Sequence, residues 1–454
     1  LTTVSFNIFL IVLGVIFSVT LTCQIQNVWK LDNFRAEIPT GDGVYNEVWG
    51  FVQDGQEYAV IGAMHGTFFF HVTDDNRLDS IDYHDGAFSS YSVIHRDYHD
   101  YNGYLYEVCD QGSSTLRIYD LHYLPDSIPI VYDDSSLIVR AHNIFIDESS
   151  GLLYSCGNTS QLGGDALRVI SLQDPINPVL VYDYNFVDYV HDIYVRNDTA
   201  FINAGNQGLK VADFSIPTMP IALGSMEFYQ DKGYNHSGWL SEDGKSYVMC
   251  DETLGMRFKM CDVSDIADIN VTSLDKPDSF ENTFPHNVML KDGIAYFSYY
   301  NDGLQIYDVR DINNPKRIAF YDTYPDEDTG TNIFKGAWGV YALLPSGRLL
   351  VSDRKYGLFL LGYNAPPNIQ VEENDHGIYP NPVQGEAFFY REHLFESNYT
   401  IEIYDSQGKF IKVFNGITDH LYMDLTSLSA GSYSYRYYNS TTKVTLSKKF
   451  IVIK

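Results

Sequence analysis

Between Trp49 and Gly362 apolar and polar residues alternate in short runs, broken by Gly, Asn and Asp, and the whole arrangement returns seven times. Each unit opens on His or Trp at the head of an alternating strand. A second strand follows, then a third of the form G-L-x-[VI]-x-D, then an outer strand. The openers are Trp49, His95, His142, His191, His236, His286 and Trp338, at spacings of 46, 47, 49, 45, 50 and 52 residues. A near-constant period with several short strands per unit predicts radial β-repeats. The fold class expected is therefore all-β, a seven-bladed β-propeller over 24–364 followed by a small β-sandwich.

The fourth unit is the clearest copy, with strands at 191–195, 199–203, 209–213 and 221–225, and the sixth repeats it at 286–290, 294–297, 303–308 and 317–320. An Asp closes the third strand as Asp120, Asp213, Asp262 and Asp308; His71, Ser171 and Gly362 stand there in other units. Short acidic side chains at that place are expected to accept backbone N–H bonds from the following turn. The seventh unit lacks an outer strand, because the chain leaves through 364–368. Residues 26–34 have outer-strand character, and we expect them to complete the seventh unit, leaving no open edge.

Several phrases carry a resemblance: Asn235-His236-Ser237-Gly238-Trp239 with Glu242 and Asp243, Asp251-Glu252, His286-Asn287-Val288, Tyr299-Tyr300-Asn301-Asp302-Gly303-Leu304, and Leu349-Leu350-Val351-Ser352-Asp353. With them the repeat resembles the LVIVD repeat of bacterial surface proteins, and 26–364 resembles the choice-of-anchor B family of secreted β-propellers. The resemblance implies a fold and a location, and brings no reaction with it.

After a linker at 365–377, with Pro366-Pro367 and the acidic Glu372-Glu373-Asn374-Asp375, the pattern changes. Ile378-Tyr379-Pro380-Asn381-Pro382 opens a new set of alternating strands, and 399–404 and 409–414 predict a hairpin around Asp405-Ser406-Gln407-Gly408. With Met423-Asp424-Leu425, Ala430-Gly431-Ser432-Tyr433 and the closing strand, 378–454 resembles the type A sorting domain of type IX secretion. That resemblance implies a partner, the type IX secretion machinery, engaged through 378–454. It implies export across the outer membrane of a Bacteroidota-like bacterium, then surface attachment or release.

Composition narrows the partners. The 454 residues include 37 Tyr and 27 Phe, which suits pleated, half-buried strands. Net charge is −29; 1–23 carries no charged residue, and from Val371 onward ten acids and eight bases give −2, leaving −27 on the repeats. Such a field repels phosphate backbones, so nucleic acid is excluded as a partner. Residues 1–23, with an apolar run over 6–19, read as a secretory signal peptide cleaved after Cys23, and no transmembrane helix is expected in the mature chain. Cys109, Cys156, Cys250 and Cys261 are expected to be buried free thiols, with a cross-strand Cys250–Cys261 disulfide as the alternative.

The chemistry is concentrated in the openers. Innermost strands line a propeller's channel, so His95, His142, His191, His236 and His286, with Trp49 and Trp338, should form a ring. Converging neutral imidazoles would hold a divalent metal of the zinc class, with Glu242, Asp251, Glu252 or Asp302 as oxygen ligands or as a nearby general base. Trp239 and Asn301 are further ligand candidates at the channel. Two other readings stay open: imidazoles that set the spacing of the repeats, and a pH sensor. The acidic run 325–330 reads as a solvated loop, with calcium as its alternative. No G-x-S-x-G elbow or comparable nucleophile motif occurs. The function expected is a secreted or surface-anchored binding protein for a glycan, protein or metal. The alternative is an extracellular hydrolase or lyase, with metal-dependent chemistry as one form of it, at the histidine-lined channel.

Overall fold

Strands two and three of each repeat are apolar on both faces, so each sheet needs a neighbour on either side. The computed structural model supplies them, and describes residues 7–12, 15–20, 28–36, 43–160, 163–277, 282–325, 334–363, 376–391, 399–416, 420–439 and 445–454. Residues 1–6, 13–14 and 21–23 of the expected signal peptide, 365–375 of the linker and 326–330 of the acidic run lie outside the described residues. Two units separate, 1–364 and 365–454. Near the start, Asn7–Val12 pairs with Val15–Thr20.

In the first unit the described residues form seven four-stranded antiparallel sheets. The first strands are Tyr45–Gln53, Arg96–Tyr101, Asn143–Asp147, Asp192–Arg196, Asn235–Leu240, Val288–Lys291 and Ala337–Tyr341. Each touches the next, and Ala337–Tyr341 returns against Tyr45–Gln53, so they close a cycle. Apolar clusters fill the spaces between sheets. Tyr106, Val108, Leu116 and Ile118 of the second sheet, for example, meet Ile144, Ile146, Leu153 and Ile170 of the third. Burial on both faces explains why Leu349–Asp353 and Ile294–Ser298 are buried throughout.

Val28–Phe34 pairs antiparallel with Gly357–Tyr363 as the fourth strand of the seventh sheet, the closure expected from sequence. Asn33 Nδ2 donates to the carbonyls of Tyr356 and Leu358, each at 3.0 Å. Phe34 meets Phe68 and Phe70 of the first sheet at ring separations of 5.1 and 4.5 Å.

The acidic strand-closers act as turn caps: Asp213 accepts from Ser215 N at 2.7 Å, Asp262 from Ser264 N at 2.9 Å, Asp120 from His122 N at 3.0 Å and Asp308 from Arg310 N at 3.1 Å. Cys109, Cys156, Cys250 and Cys261 are free and buried. The alternative disulfide fails for a simple reason. Tyr247 pairs with Cys261, so Cys250 lies three residues along the ladder. Strand alternation then sends Cys250 into the cluster shared with the sixth sheet and Cys261 into the one shared with the fourth.

In the second unit seven strands join in one hydrogen-bonded order, in which His376–Gln384 links two groups. Its core includes Ile378, Val383, Phe389, Ile401, Ile403, Met423, Tyr435, Tyr437 and Val452. Tyr399–Tyr404 and Phe410–Gly416 form the expected hairpin, with Asp405 Oδ1 accepting from Gln407 N and Lys409 N, each at 2.9 Å. Gly408 takes φ 77°, which a side chain would strain.

Candidate functional site

The head of each inner strand sets three side-chain layers along the axis. In the first, ring centroids run His95–His142 4.8 Å, His142–His191 4.1 Å, His191–His236 4.0 Å, His236–His286 4.5 Å, His286–Trp338 4.2 Å and Trp338–His95 5.6 Å. Five imidazoles and one indole thus close a ring. His236 and Trp338 reach it through register breaks in their ladders, between Asn235 and Ser237 and between Ala337 and Val340. An extra residue in a strand re-aims a side chain in this way.

Trp49 is not in that ring. The register break in its strand falls between Tyr45 and Val48, and the ring-level residue of the first repeat is Asn46. Trp49 belongs to a third layer, in contact with His99 at 4.5 Å and Tyr341 at 5.0 Å; Phe145, Tyr194 and Trp239 continue that layer. Between the two lies a polar layer that sequence reading missed: Glu47, Asp97, Asn143, Asp192, Ser237 and Asn287. With the aromatic layer it lines a cavity of about 60 Å³. At 10–15 Å³ for each water, that is room for roughly five waters and not for a sugar ring.

Burial dominates the electrostatics. It pushes Asp97 up to about 7 and Asp192 to about 6, and drives Glu47 well above the carboxylate range, with Asp97 and Asp192 adding repulsion at Glu47. Burial lowers His95 to about 3 and holds His191, His236 and His286 well below the usual imidazole value. His142 differs: burial opposes its charge most strongly, but Asp110, 3.0 Å from Nδ1, together with Asp192 and Asp97 raises it.

Hydrogen bonds fix tautomers. His95 Nδ1 accepts from Trp338 Nε1 at 3.2 Å, which leaves Nε2 to donate to Asn143 Oδ1 at 2.9 Å. Both nitrogens of His95 are therefore engaged. His286 Nδ1 donates to the Trp338 carbonyl at 2.6 Å, so its Nε2 carries a lone pair, and this faces Glu252 Oε1 at 4.0 Å. His236 Nε2 is 3.7 Å from Glu252 Oε2. Glu252 accepts from the Tyr300 hydroxyl, and Tyr300 is held at φ 46°, in the left-handed region. Burial also raises the Glu252 carboxyl.

The remaining candidates separate. Asp251 is a buried hub, accepting from Gly233 N at 2.6 Å, Lys259 Nζ at 2.8 Å and the Tyr229 hydroxyl at 3.0 Å. Its lone pairs are spent on structure. Glu242 lies in the turn after its strand and accepts from Asp292 N at 2.7 Å, tying the fifth repeat to the sixth away from the imidazoles. Trp239 lines the aromatic layer. Asn301 and Asp302 form the turn that follows Tyr300, and the Asp302 carbonyl accepts from Gln305 Nε2. Sequence reasoning also missed His99 and Tyr300. Placing Asn46 rather than Trp49 in the opener column would have aligned Glu47 with Asn143, Asp192, Ser237 and Asn287 and exposed the polar layer.

The connections that enter the inner strands carry exposed aromatics: Tyr91 and Phe186 at 70%, Phe228 at 89% and Phe334 at 46%. Tyr189, Tyr234 and Tyr300 of the same face stand against the imidazoles.

Residues 377–454 match the secretion system C-terminal sorting domain. The protein thus carries a type IX secretion sorting tail and is exported to the cell surface or outside. Among solved structures it is similar to PorZ, a surface component of the type IX secretion system of Porphyromonas gingivalis, at 12% identity and TM-score 0.52, covering 93% of this chain and 61% of that one. This chain therefore spans about three-fifths of the length of PorZ. It is also similar to the WD40 repeats of RRP9 (10% identity, TM-score 0.53, 74% and 98% covered) and to the β-propeller domain of Myceliophteria thermophila Cps50 (10%, 0.51, 73% and 99%). At such identity these likenesses show a fold, and the fold is that of β-propellers. No curated protein matches the chain. No helix among the described residues is long and apolar enough to cross a membrane.

Proposed function

We propose that this protein is a surface-displayed or released binding protein: a seven-bladed propeller of LVIVD type, related to the choice-of-anchor B family, over 24–364. In the same reading 1–23 is a signal peptide, 365–377 a linker, and 378–454 the sorting domain by which a Bacteroidota-like cell exports it. The observation that carries the reading is the contrast between interior and face. The cavity on the axis has room for only a few waters, while the face around the imidazoles presents Tyr91, Phe186, Phe228 and Phe334 to solvent. Exposed aromatics offer large, rigid, sequence-tolerant contact area to a glycan or a protein.

The hydrolase or lyase alternative draws on one observation, Glu252 beside His236 with Tyr300 on its carboxylate. A glycan array run beside a hydrolase and lyase panel separates the two. Binding without turnover, weakened at least about tenfold in a Phe186→Ala, Phe228→Ala variant, is the expected result. Turnover abolished by Glu252→Gln would replace this reading with the enzymatic one.

A further inference from the structure

We propose that His236, His286 and His191, with the carboxylate of Glu252, form a binding site for one divalent transition metal of the zinc class at the imidazole layer. The proposal goes beyond the binding reading and stands whether or not the aromatic face takes a glycan.

The argument begins with facing lone pairs. His286 donates from Nδ1 to the Trp338 carbonyl, so Nε2 presents an unprotonated lone pair toward Glu252 Oε1 at 4.0 Å. His236 Nε2 stands 3.7 Å from Glu252 Oε2. The His286 lone pair and the carboxylate oxygens face one another with no hydrogen bond between them, and a cation placed in the gap satisfies both. Tyr300 fixes the carboxylate by donating to Oε1, the oxygen that also faces His286. His191 adds a third imidazole: its donor atom, that of His236 and that of Glu252 all lie within 4.8 Å of one another.

The separations suit a small tetrahedral ion. Metal–nitrogen bonds of 2.0–2.1 Å at tetrahedral angles set donors about 3.3 Å apart. Side-chain rotations of a few tenths of an ångström bring 3.7 and 4.0 Å to that value, whereas His286, which lies outside the group formed by His191, His236 and Glu252, needs a larger movement to join it. Mixed imidazole and carboxylate donors select the zinc class, whereas calcium takes six to eight oxygens. The carbonyl behind His286 is the outer-shell partner that fixes which nitrogen points inward. His191 and His236 sit beside the backbone carbonyls of His236 and His286 in the same relation, although their buried Nδ1 atoms do not reach hydrogen-bond geometry. His95 is outside the set because both its nitrogens are taken.

Tag-free full-length chain, stripped with chelator, is titrated with zinc by calorimetry and with cobalt(II) by visible absorption. The expected result is one equivalent bound and a tetrahedral cobalt spectrum, with affinity reduced at least about tenfold in Glu252→Gln and in His236→Gln and unchanged in His122→Asn, an exposed imidazole. Failure of the parent chain to bind one equivalent, or equal affinity in parent and Glu252→Gln, overturns the proposal. Should either site variant lose its circular-dichroism spectrum, the cobalt spectrum of the parent decides: tetrahedral bands support the site, and octahedral or absent bands refute it.

Discussion

Asp97 sits in the polar layer with Glu47, Asp192 and the His142 imidazole as its charged neighbours, and its side chain accepts from Ile144 N at 2.7 Å. Its folded pKa, about 7, lies above its unfolded value of about 3.9, so the fold favours the protonated acid. The stability this supplies is full below about pH 4 and is lost as pH climbs through about 7. The histidines run the opposite way. His95, lowered to about 3, contributes stability above its unfolded pKa of about 6.5 that is lost as pH falls. Asp97→Asn keeps the acceptor for Ile144 and removes only the acid. Relative to the parent, the variant should gain on the order of 2 kcal/mol between pH 4 and pH 8, about half the full linkage because Glu47 and Asp192 share the titration. Urea unfolding at both pH values reads this directly, and a parent–variant difference that ignores pH refutes it. At this scale the sequence was legible only in part. Five histidines in one column pointed to one ring, because duplication preserves position. Trp49 did not, because its chemical likeness to Trp338 hid a three-residue offset that only the register break near Asn46 reveals.

Strands carry the closure. Val28–Phe34 contributes the outer edge of the seventh sheet and, through Phe34, contacts with the first, so it joins the two ends of the ring. Deleting 28–34 exposes the edge of Gly357–Tyr363 and uncovers the buried Leu358, Leu360 and Leu361. Thermal unfolding of the deletion should fall by 10 °C or more, on the order of several kcal/mol, and lose cooperativity; melting indistinguishable from the parent refutes the closure. This element could be read from sequence because absence and surplus matched: the seventh repeat lacked an outer strand and 26–34 had no repeat of its own. The free cysteines of the fifth sheet show the limit. Buried free thiols were the reading from sequence, but a bridge between Cys250 and Cys261 stayed open as the alternative, because whether two side chains share a face depends on register.

At the scale of the whole molecule, address and shape come from separate parts of the chain. The repeats carry nearly all of the net charge and the candidate site, and 377–454 carries the sorting signal. Both were legible because each depends on many positions at once: a period of nearly fifty residues for the ring, and a run of strands and turns for the tail. The ligand was not, since exposed aromatics on entry loops lack any periodic mark. The most direct measurement is protease accessibility on intact cells of the native host, comparing the full chain with a chain lacking 377–454. The account expects the full-length product to be digested by added protease or found in the medium, and the truncated one to stay protected inside the cell envelope. Equal accessibility of the two would contradict it.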